Sequence, residues 1–302
     1  MTQRHTTVLR RHFGFAIFLI SLIILFAKPI ANLINFSLTH DYASYIILVL
    51  PVSLVLIYLR QDRIFATAET SPFAGVLLFL FGIIFWWVAE RKMPASLRDN
   101  ELSLVTLAFV IILFAGFMFC YGTRAFSKAT FPLLFLLLLV PIPDLVTEKI
   151  IFLLQTGSAI VAYGLFRLFS VPVLKQGFIL RVPTLDIEVA KQCSGIRSSL
   201  ALLITVLVLG HFVFRSAWRK ALLVTSVVPI LILKNGVRIV TVALLSIYVN
   251  RRFLHGWLHT SGGIVFYLLG LALLIPIISA LRKTESGTRI SSKKNAPNAT
   301  LS

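Results

Sequence analysis

The chain has 302 residues, of which 58% are hydrophobic and only 13% are charged, and this balance excludes an ordinary soluble globular enzyme. Its 29 Lys and Arg against 11 Asp and Glu give a net charge of +18. These basic residues are scattered between long apolar runs, so nucleic acid is not an expected partner. Basic residues at the ends of apolar segments are typical of a polytopic membrane protein, because Lys and Arg hold short loops in the cytoplasm.

The apolar runs predict an all-α bundle of about eight membrane-spanning helices, since a helix needs about 20 apolar residues to cross a bilayer. The predicted spans are 13–34, 43–59, 73–89, 102–121, 130–143, 196–214, 221–241 and 260–281. The first run is too long for the apolar core of a signal peptide, and more spans follow it. We therefore expect an uncleaved first helix.

A ninth apolar stretch, 145–170, has to be placed from the distribution of charge. It is interrupted by four polar residues, Glu148, Lys149, Gln155 and Arg167. With the N-terminus in the cytoplasm, the basic loops at 60–63 and 124–128 also lie inside. The basic loop at 215–220 and the basic residues from Arg282 onward then lie inside only if 145–170 does not cross. We therefore expect this stretch to lie along the outer interface.

Two segments of the second half are less apolar. Residues 175–192 alternate apolar and polar side chains on either side of a Pro-Thr turn, which predicts a small β-hairpin outside the membrane. The tail 284–302 is polar, so we expect it to be disordered on the cytoplasmic side. Residues 1–283 are then one integral membrane domain.

The first candidate site follows the hairpin, where Lys-Gln-Cys-Ser-Gly-Ile-Arg-Ser-Ser occupies 191–199. Ser194 is a favourable N-cap and Gly195 a permissive turn residue, so Cys193 would stand at the N-terminus of a membrane helix. There the helix dipole favours a thiolate, and free backbone N–H groups can receive an oxyanion. A small buried cysteine beside a helix cap is the other interpretation. Cys120, inside a plain apolar helix, is expected only to pack.

The second candidate site is the sequence Lys-Asn-Gly-Val-Arg-Ile at 234–239, inside an apolar run. Asn235 and Arg238 are three residues apart and therefore share a helix face. An ionised side chain costs about 2.5–3.5 kcal/mol at the centre of a span, so such an arginine indicates a function. Snorkelling of Arg238 is the alternative, since the charge count puts it near the outer end of its span.

The third candidate site contains His255 and His259, at the outer end of the last span. The charge count places His259 at the same depth as Cys193 and Arg238, although the three come from different spans. Together they supply a nucleophile, a base and a cation for a developing oxyanion, as acyl transfer requires. Metal binding by the two histidines and Cys193 is the competing interpretation. No acidic residue or second cysteine nearby completes a ligand set, so neither a metal nor another cofactor is expected.

At these motifs the sequence resembles the exosortase/archaeosortase family of membrane cysteine transpeptidases. Residues 188–198, Glu-Val-Ala-Lys-Gln-Cys-Ser-Gly-Ile-Arg-Ser, look like the family's Cys-Ser-Gly-x-Arg-Ser signature. Pro229 followed by Asn-Gly-Val-Arg-Ile at 235–239 continues the resemblance, as does His259 before glycine and an aromatic residue. The resemblance covers about 130–281, and the earlier part agrees only in hydropathy.

The resemblance implies Cys193 as nucleophile, His259 as general acid and base, and Arg238 as the cation that stabilises the tetrahedral intermediate. Four further residues would position these groups or the substrate: Ser194, Gly195, Arg197 and Asn235. The implied substrates are exported proteins with a tripartite C-terminal signal. That signal has a short motif, Pro-Glu-Pro in the bacterial branch that we favour, then a transmembrane helix, then a basic cluster.

The implied reaction is cleavage near that motif through a thioester, with transfer of the new carboxyl end to an acceptor. We then expect a plasma (inner) membrane protein whose active site faces the extracytoplasmic side. A non-catalytic transporter or a scaffold of polysaccharide export, in which Arg238 lines a substrate pathway, is the alternative from another class. A metal-dependent membrane protease that uses both His255 and His259 is a further alternative.

Overall fold

The structure is a computed structural model, and it describes residues 2–91, 100–183, 185–189, 196–250, 252 and 263–294. Its helices are α1 (Thr2–Leu25), α2 (Ala27–Thr39), α3 (Ile46–Tyr58), α4 (Gln61–Phe65), α5 (Pro72–Glu90), α6 (Glu101–Lys128), α7 (Thr130–Phe135), α8 (Asp144–Leu168), α9 (Ile196–Val213), α10 (Ala217–Tyr248) and α11 (Gly263–Lys294). Its strands are β1 (Leu174–Gln176), β2 (Ile179–Val182) and β3 (Leu185–Glu188). The chain is a polytopic helical membrane protein, and the fold class predicted from composition is confirmed.

The chain forms two compact units, Met1–Glu148 and Lys149–Ser302. The single membrane domain expected over 1–283 stays a prediction. In the first unit α1 and α5 pack against α6. The middle of α6 is accordingly buried, with Ala108 and Val110 fully inaccessible. A helix that is apolar all round is expected at the centre of a bundle.

Near its C-terminal end α6 is interrupted at Gly122, which has a φ of +84°. Only glycine adopts this backbone conformation without strain. A Cβ atom at this position would also overlap the carbonyl oxygen of Glu69. The Glu69 N–H donates to the Tyr121 carbonyl at 3.0 Å, so the segment between α4 and α5 packs against the break in α6.

The second unit has two apolar cores. One lies among α9, α10 and α11 and contains Leu202, Leu223 and Leu274, none of them more than 1% exposed. The other lies among α8, the sheet and α10 and contains Phe166 and Leu180, both fully buried. Because α10 contributes to both cores, it is the helix around which this unit is built.

The sheet has the antiparallel order β1-β2-β3. In the β2–β3 pair Val182 lies opposite Leu185, so the hairpin predicted from the alternation of side chains is confirmed. Leu180 and Val182 are buried, while Arg181 reaches Asp186 at 3.5 Å on the exposed face. The third strand, β1, was not predicted, because its three residues are too few to show a period of two.

Among the described residues, five helices are long and apolar enough to cross a membrane: α5, α6, α8, α10 and the Gly263–Thr284 part of α11. The pair α1 and α2 would make a sixth span, but it is bent by 71° at a break. Three predicted spans appear as shorter apolar helices: Ile46–Tyr58, Thr130–Leu139 and Ser198–Val213. The count of eight spans therefore stays a prediction. The stretch expected at the interface, 145–170, forms the long helix α8.

The last helix, α11, runs to Lys294 and so continues past the start of the predicted tail at 284. Residues 295–302 lie outside the described residues. The boundary between a membrane domain and a disordered tail stays a prediction.

Candidate active site

The structure describes part of the predicted site. Asn235 and Arg238 lie on α10. Arg197 lies in the first turn of α9, and only its backbone is described. The other predicted residues lie outside the described residues: Cys193, Ser194, Gly195, His255 and His259. The roles of these five stay predictions.

Polar residues interrupt the apolar surface of α10 about midway along the helix. Lys234 and Asn235 are each only 2% exposed. Arg238 follows Lys234 by one turn on the same face and is half-buried. Holding two positive charges on one face of a membrane helix is costly, so this face is the strongest candidate for a functional surface among the described residues.

Asn235 connects α10 to α8. Its Nδ2 atom donates to the hydroxyl oxygen of Ser158 at 3.0 Å, and Ser158 is fully buried. An amide without a partner in apolar surroundings is strongly unfavourable. The bond therefore holds the two helices at a fixed height and rotation relative to each other.

Gly236, the next residue, allows this close contact between α8 and α10. A Cβ atom at Gly236 would lie 2.8 Å from the Cβ of Val161 and 3.3 Å from the backbone nitrogen of Ala162. Small residues let membrane helices approach closely enough for such side-chain hydrogen bonds. The glycine of the Asn-Gly-Val-Arg motif thus has a packing role.

Lys234 connects α10 to α9. Its Nζ atom donates to the hydroxyl oxygen of Ser198 at 2.6 Å, in the first turn of α9. Sequence reasoning assigned no role to this lysine. A charge inside an apolar run indicates a special role, but Arg238 has the same feature. The sequence did not show which of the two cations is the more buried.

Gln155 connects α8 to the end of the sheet. Its Nε2 atom donates to the carbonyl oxygen of Val189 at 2.6 Å, and both residues are buried. The sequence showed Gln155 only as an interruption of an apolar stretch. It could not show the partner, because Val189 is 34 residues away.

The described part of the site can supply positive charge and hydrogen-bond donors. A half-buried guanidinium such as that of Arg238 can stabilise a developing oxyanion where water is excluded. Within the described ranges no group of three or more His, Cys, Asp or Glu could hold a metal ion. The metal alternative rests on Cys193 and two histidines that lie outside those ranges.

The fold defines a multi-pass membrane protein, and its buried polar side chains join α8, α9 and α10. A family model described as transmembrane exosortase (Exosortase_EpsH) matches residues 34–276, and the chain belongs to this family. The motifs indicated a resemblance over about 130–281, and the family model also matches the chain from residue 34 to residue 130. Comparison with curated proteins and with solved structures gave no match. Membership in a family of cysteine transpeptidases supports a general role as a membrane transpeptidase.

Proposed function

We propose that the chain is a membrane cysteine protease and transpeptidase that cleaves C-terminal sorting signals of exported proteins. The family match over 34–276 is the observation that carries this proposal. The signal is proposed to be of the Pro-Glu-Pro type, followed by a transmembrane helix and a basic cluster. A substrate helix among the spans would present the preceding motif at the outer boundary of the membrane, where holding it converts attack into a unimolecular step.

In the proposed reaction the thiolate of Cys193 attacks the scissile carbonyl. His259 gives a proton to the leaving amine, and Arg238 stabilises the oxyanion of the tetrahedral intermediate. The resulting thioester is resolved by an acceptor nucleophile, with His259 now removing the proton of that nucleophile. The burial of Asn235 and Lys234 beside Arg238 supports a polar site built into this part of the membrane bundle. The protein is proposed to lie in the plasma (inner) membrane with this site on the extracytoplasmic side.

The experiment is co-expression with a tagged exported reporter that ends in a Pro-Glu-Pro motif, an apolar helix and a basic cluster. Wild type is compared with Cys193→Ala by the gel mobility of the reporter, after both are shown to reach the membrane. We expect the C-terminal piece to be lost with wild type only. Equal processing by Cys193→Ala, or none by either protein across a panel of C-terminal signals, would overturn the proposal.

A further inference from the structure

Two buried side chains hold the chain on both sides of the segment that contains Cys193. Val189 lies four residues before the cysteine and Ser198 five residues after it, and both are described by the structure. Val189 receives a hydrogen bond from α8, and Ser198 receives one from α10. Neither donor has a part in the proposed chemistry.

On the upstream side, the carbonyl oxygen of Val189 accepts from Gln155 Nε2 at 2.6 Å. The Val189 N–H donates to the Phe178 carbonyl at 2.9 Å, and the side chain is 1% exposed within the apolar core formed by α8, the sheet and α10. Side chain, N–H and carbonyl of this residue are thus all held. Loss of the Gln155 amide would leave a buried carbonyl without this partner, at a cost that favours movement of the chain.

On the downstream side, Lys234 is 2% exposed and donates to Ser198 at 2.6 Å. A charged donor makes a stronger hydrogen bond than a neutral one, and the attraction is greatest where water is excluded. The stem of the lysine lies beside α11, where a Cβ atom at Gly270 would be in ordinary van der Waals contact with its Cδ atom at 3.4 Å.

The two donors belong to a frame formed by α8 and α10. Asn235, adjacent to Lys234, donates to Ser158, which lies on α8 three residues from Gln155. The close approach at Gly236 and Val161 adds backbone packing to the same contact. Because α8 and α10 are joined in this way, a shift of one donor relative to the other would break buried hydrogen bonds.

We propose that Gln155 and Lys234 are positioning residues for the reaction, which fix Val189 and Ser198 and thereby the path of the chain that carries the nucleophile. This inference rests on the proposed function. Attack requires the reacting atoms to be about 3–3.5 Å apart and aligned, and a misplacement of about 1 Å costs about 100-fold in rate. Lys234 also lies one helical turn, about 6 Å along the axis, from Arg238, so the same frame carries the proposed oxyanion partner.

The test uses the full chain, purified in detergent, and the reporter with the Pro-Glu-Pro motif, apolar helix and basic cluster. The variants are Lys234→Met, Gln155→Leu and their combination, and Ser198→Ala is measured alone and combined with Lys234→Met. The control is Lys220→Met, which changes a half-buried lysine near the N-terminal end of α10. Methionine keeps an apolar stem of similar length at position 234 and removes the charge, so the packing of the stem is retained.

We expect kcat to fall by about 10–100-fold in each single variant, with KM unchanged, because the binding of the substrate helix does not depend on the nucleophile's position. Lys234→Met combined with Ser198→Ala is expected to be no slower than the slower single variant, since both remove one bond. Lys234→Met combined with Gln155→Leu is expected to multiply the two losses. The Lys220→Met control is expected to keep the wild-type kcat.

Three results would overturn the inference. The first is a kcat within about threefold of wild type in both Lys234→Met and Gln155→Leu. The others are a loss of activity that follows the amount of folded protein in gel filtration, and an equal loss of kcat in Lys220→Met. Cys193→Ala in the same assay separates this inference from the proposed function. If Cys193→Ala still cleaves the reporter, the proposed function fails. If it is inactive while Lys234→Met and Gln155→Leu retain kcat, only the positioning role fails.

Discussion

Arg238 is the proposed catalytic residue whose surroundings the structure describes, and its chemistry can be tested by substitution. Arg238→Gln removes the cation and keeps a polar side chain. If the guanidinium stabilises the oxyanion, we expect kcat to fall by about 10²–10³-fold, the usual effect of losing one such donor. Arg238→Lys should restore only part of the rate, because an ammonium lacks the planar, two-pronged geometry of a guanidinium. The measurement is the rate of reporter cleavage.

The matched control is Arg167→Gln, which removes an exposed arginine near the C-terminal end of α8. We expect it to keep the wild-type rate, since a solvent-facing charge contributes little to a reaction elsewhere. Cys193→Ser is measured alongside. If the function of the protein in the cell survives Cys193→Ser but is lost in Arg238→Gln, the transporter or scaffold alternative is supported and the enzyme is not.

At the scale of residues, sequence reasoning identified which side chains are unusual and not what they touch. A charge or an amide in an apolar run stands out, so Asn235 and Arg238 could be selected. The partners of Asn235 and Lys234, which are Ser158 and Ser198, lie 77 and 36 residues away. Whether Asn235 and Lys234 contact these serines depends on how α8, α9 and α10 are rotated about their axes. Hydropathy does not determine that rotation.

The contact between α8 and α10 depends on the absence of a side chain at Gly236. We expect Gly236→Ala to lower the free energy of unfolding by about 1–3 kcal/mol, the usual cost of overpacking a well-packed interface. The methyl group must push Val161 or the backbone at Ala162, and the bond between Asn235 and Ser158 would be stretched. The measurement is thermal unfolding of the purified chain in detergent, together with the rate of reporter cleavage.

Two further variants decide whether the contact at Gly236 is the cause. Gly236→Ala combined with Val161→Ala should recover part of the lost stability, because the second change removes the Val161 Cγ1 atom, which lies 2.5 Å from the added Cβ, and leaves the Cβ of residue 161 at 2.8 Å. Gly164→Ala, also in α8, is the control, since no atom lies within 4 Å of its added Cβ. We expect it to be neutral or stabilising by up to about 1 kcal/mol. No recovery in the double variant would contradict a direct clash.

At the scale of elements, the helices and strands that could be predicted were those with a long apolar run or a long enough alternation of side chains. The alternation in 175–192 was long enough to predict β2 and β3, whereas the three residues of β1 gave no period and were missed. Long apolar runs predicted α5, α6, α10 and α11. The run at 130–143 looked equivalent to them, but Pro141 and Pro143 at its end stop a helix, and only Thr130–Leu139 is helical.

At the scale of the whole chain, the lengths of three helices allow the membrane topology to be revised. If the basic loops at 124–128 and 215–220 both lie inside, the chain crosses an even number of times between them. Three candidates lie there: α7 with its short 3₁₀ extension, α8 and α9. One of them must not cross, and the sequence analysis selected α8, the run interrupted by polar residues, because its crossing would move the later basic clusters outside. The structure pairs one of its polar residues, Gln155, with the buried Val189 carbonyl, while Glu148, Lys149 and Arg167 are exposed, so the polar residues alone do not keep α8 out of the membrane.

Length selects α7 instead. Thr130–Leu139 is about 15 Å long, whereas α8, with 25 residues, is about 37 Å long and the hydrocarbon core is about 30 Å thick. If α8 crosses and Thr130–Leu139 does not, the number of spans is unchanged and both basic loops remain inside. The sheet remains outside. The N-terminal end of α8, at Asp144, then lies in the cytoplasm rather than outside.

This topology predicts a specific pattern of cysteine labelling in intact cells. In a chain that carries Cys120→Ala and Cys193→Ala, single cysteines are placed by Asp144→Cys, Gln176→Cys and Ser127→Cys, all at exposed positions. A membrane-impermeant maleimide should label Gln176→Cys from outside, and Ser127→Cys only after permeabilisation. We expect Asp144→Cys to behave like Ser127→Cys, because α8 needs its full length to reach the sheet on the other side. Labelling of Asp144→Cys from outside would instead place α8 along the outer interface, and the even number of crossings would then require the short Thr130–Leu139 segment to thin the bilayer around it.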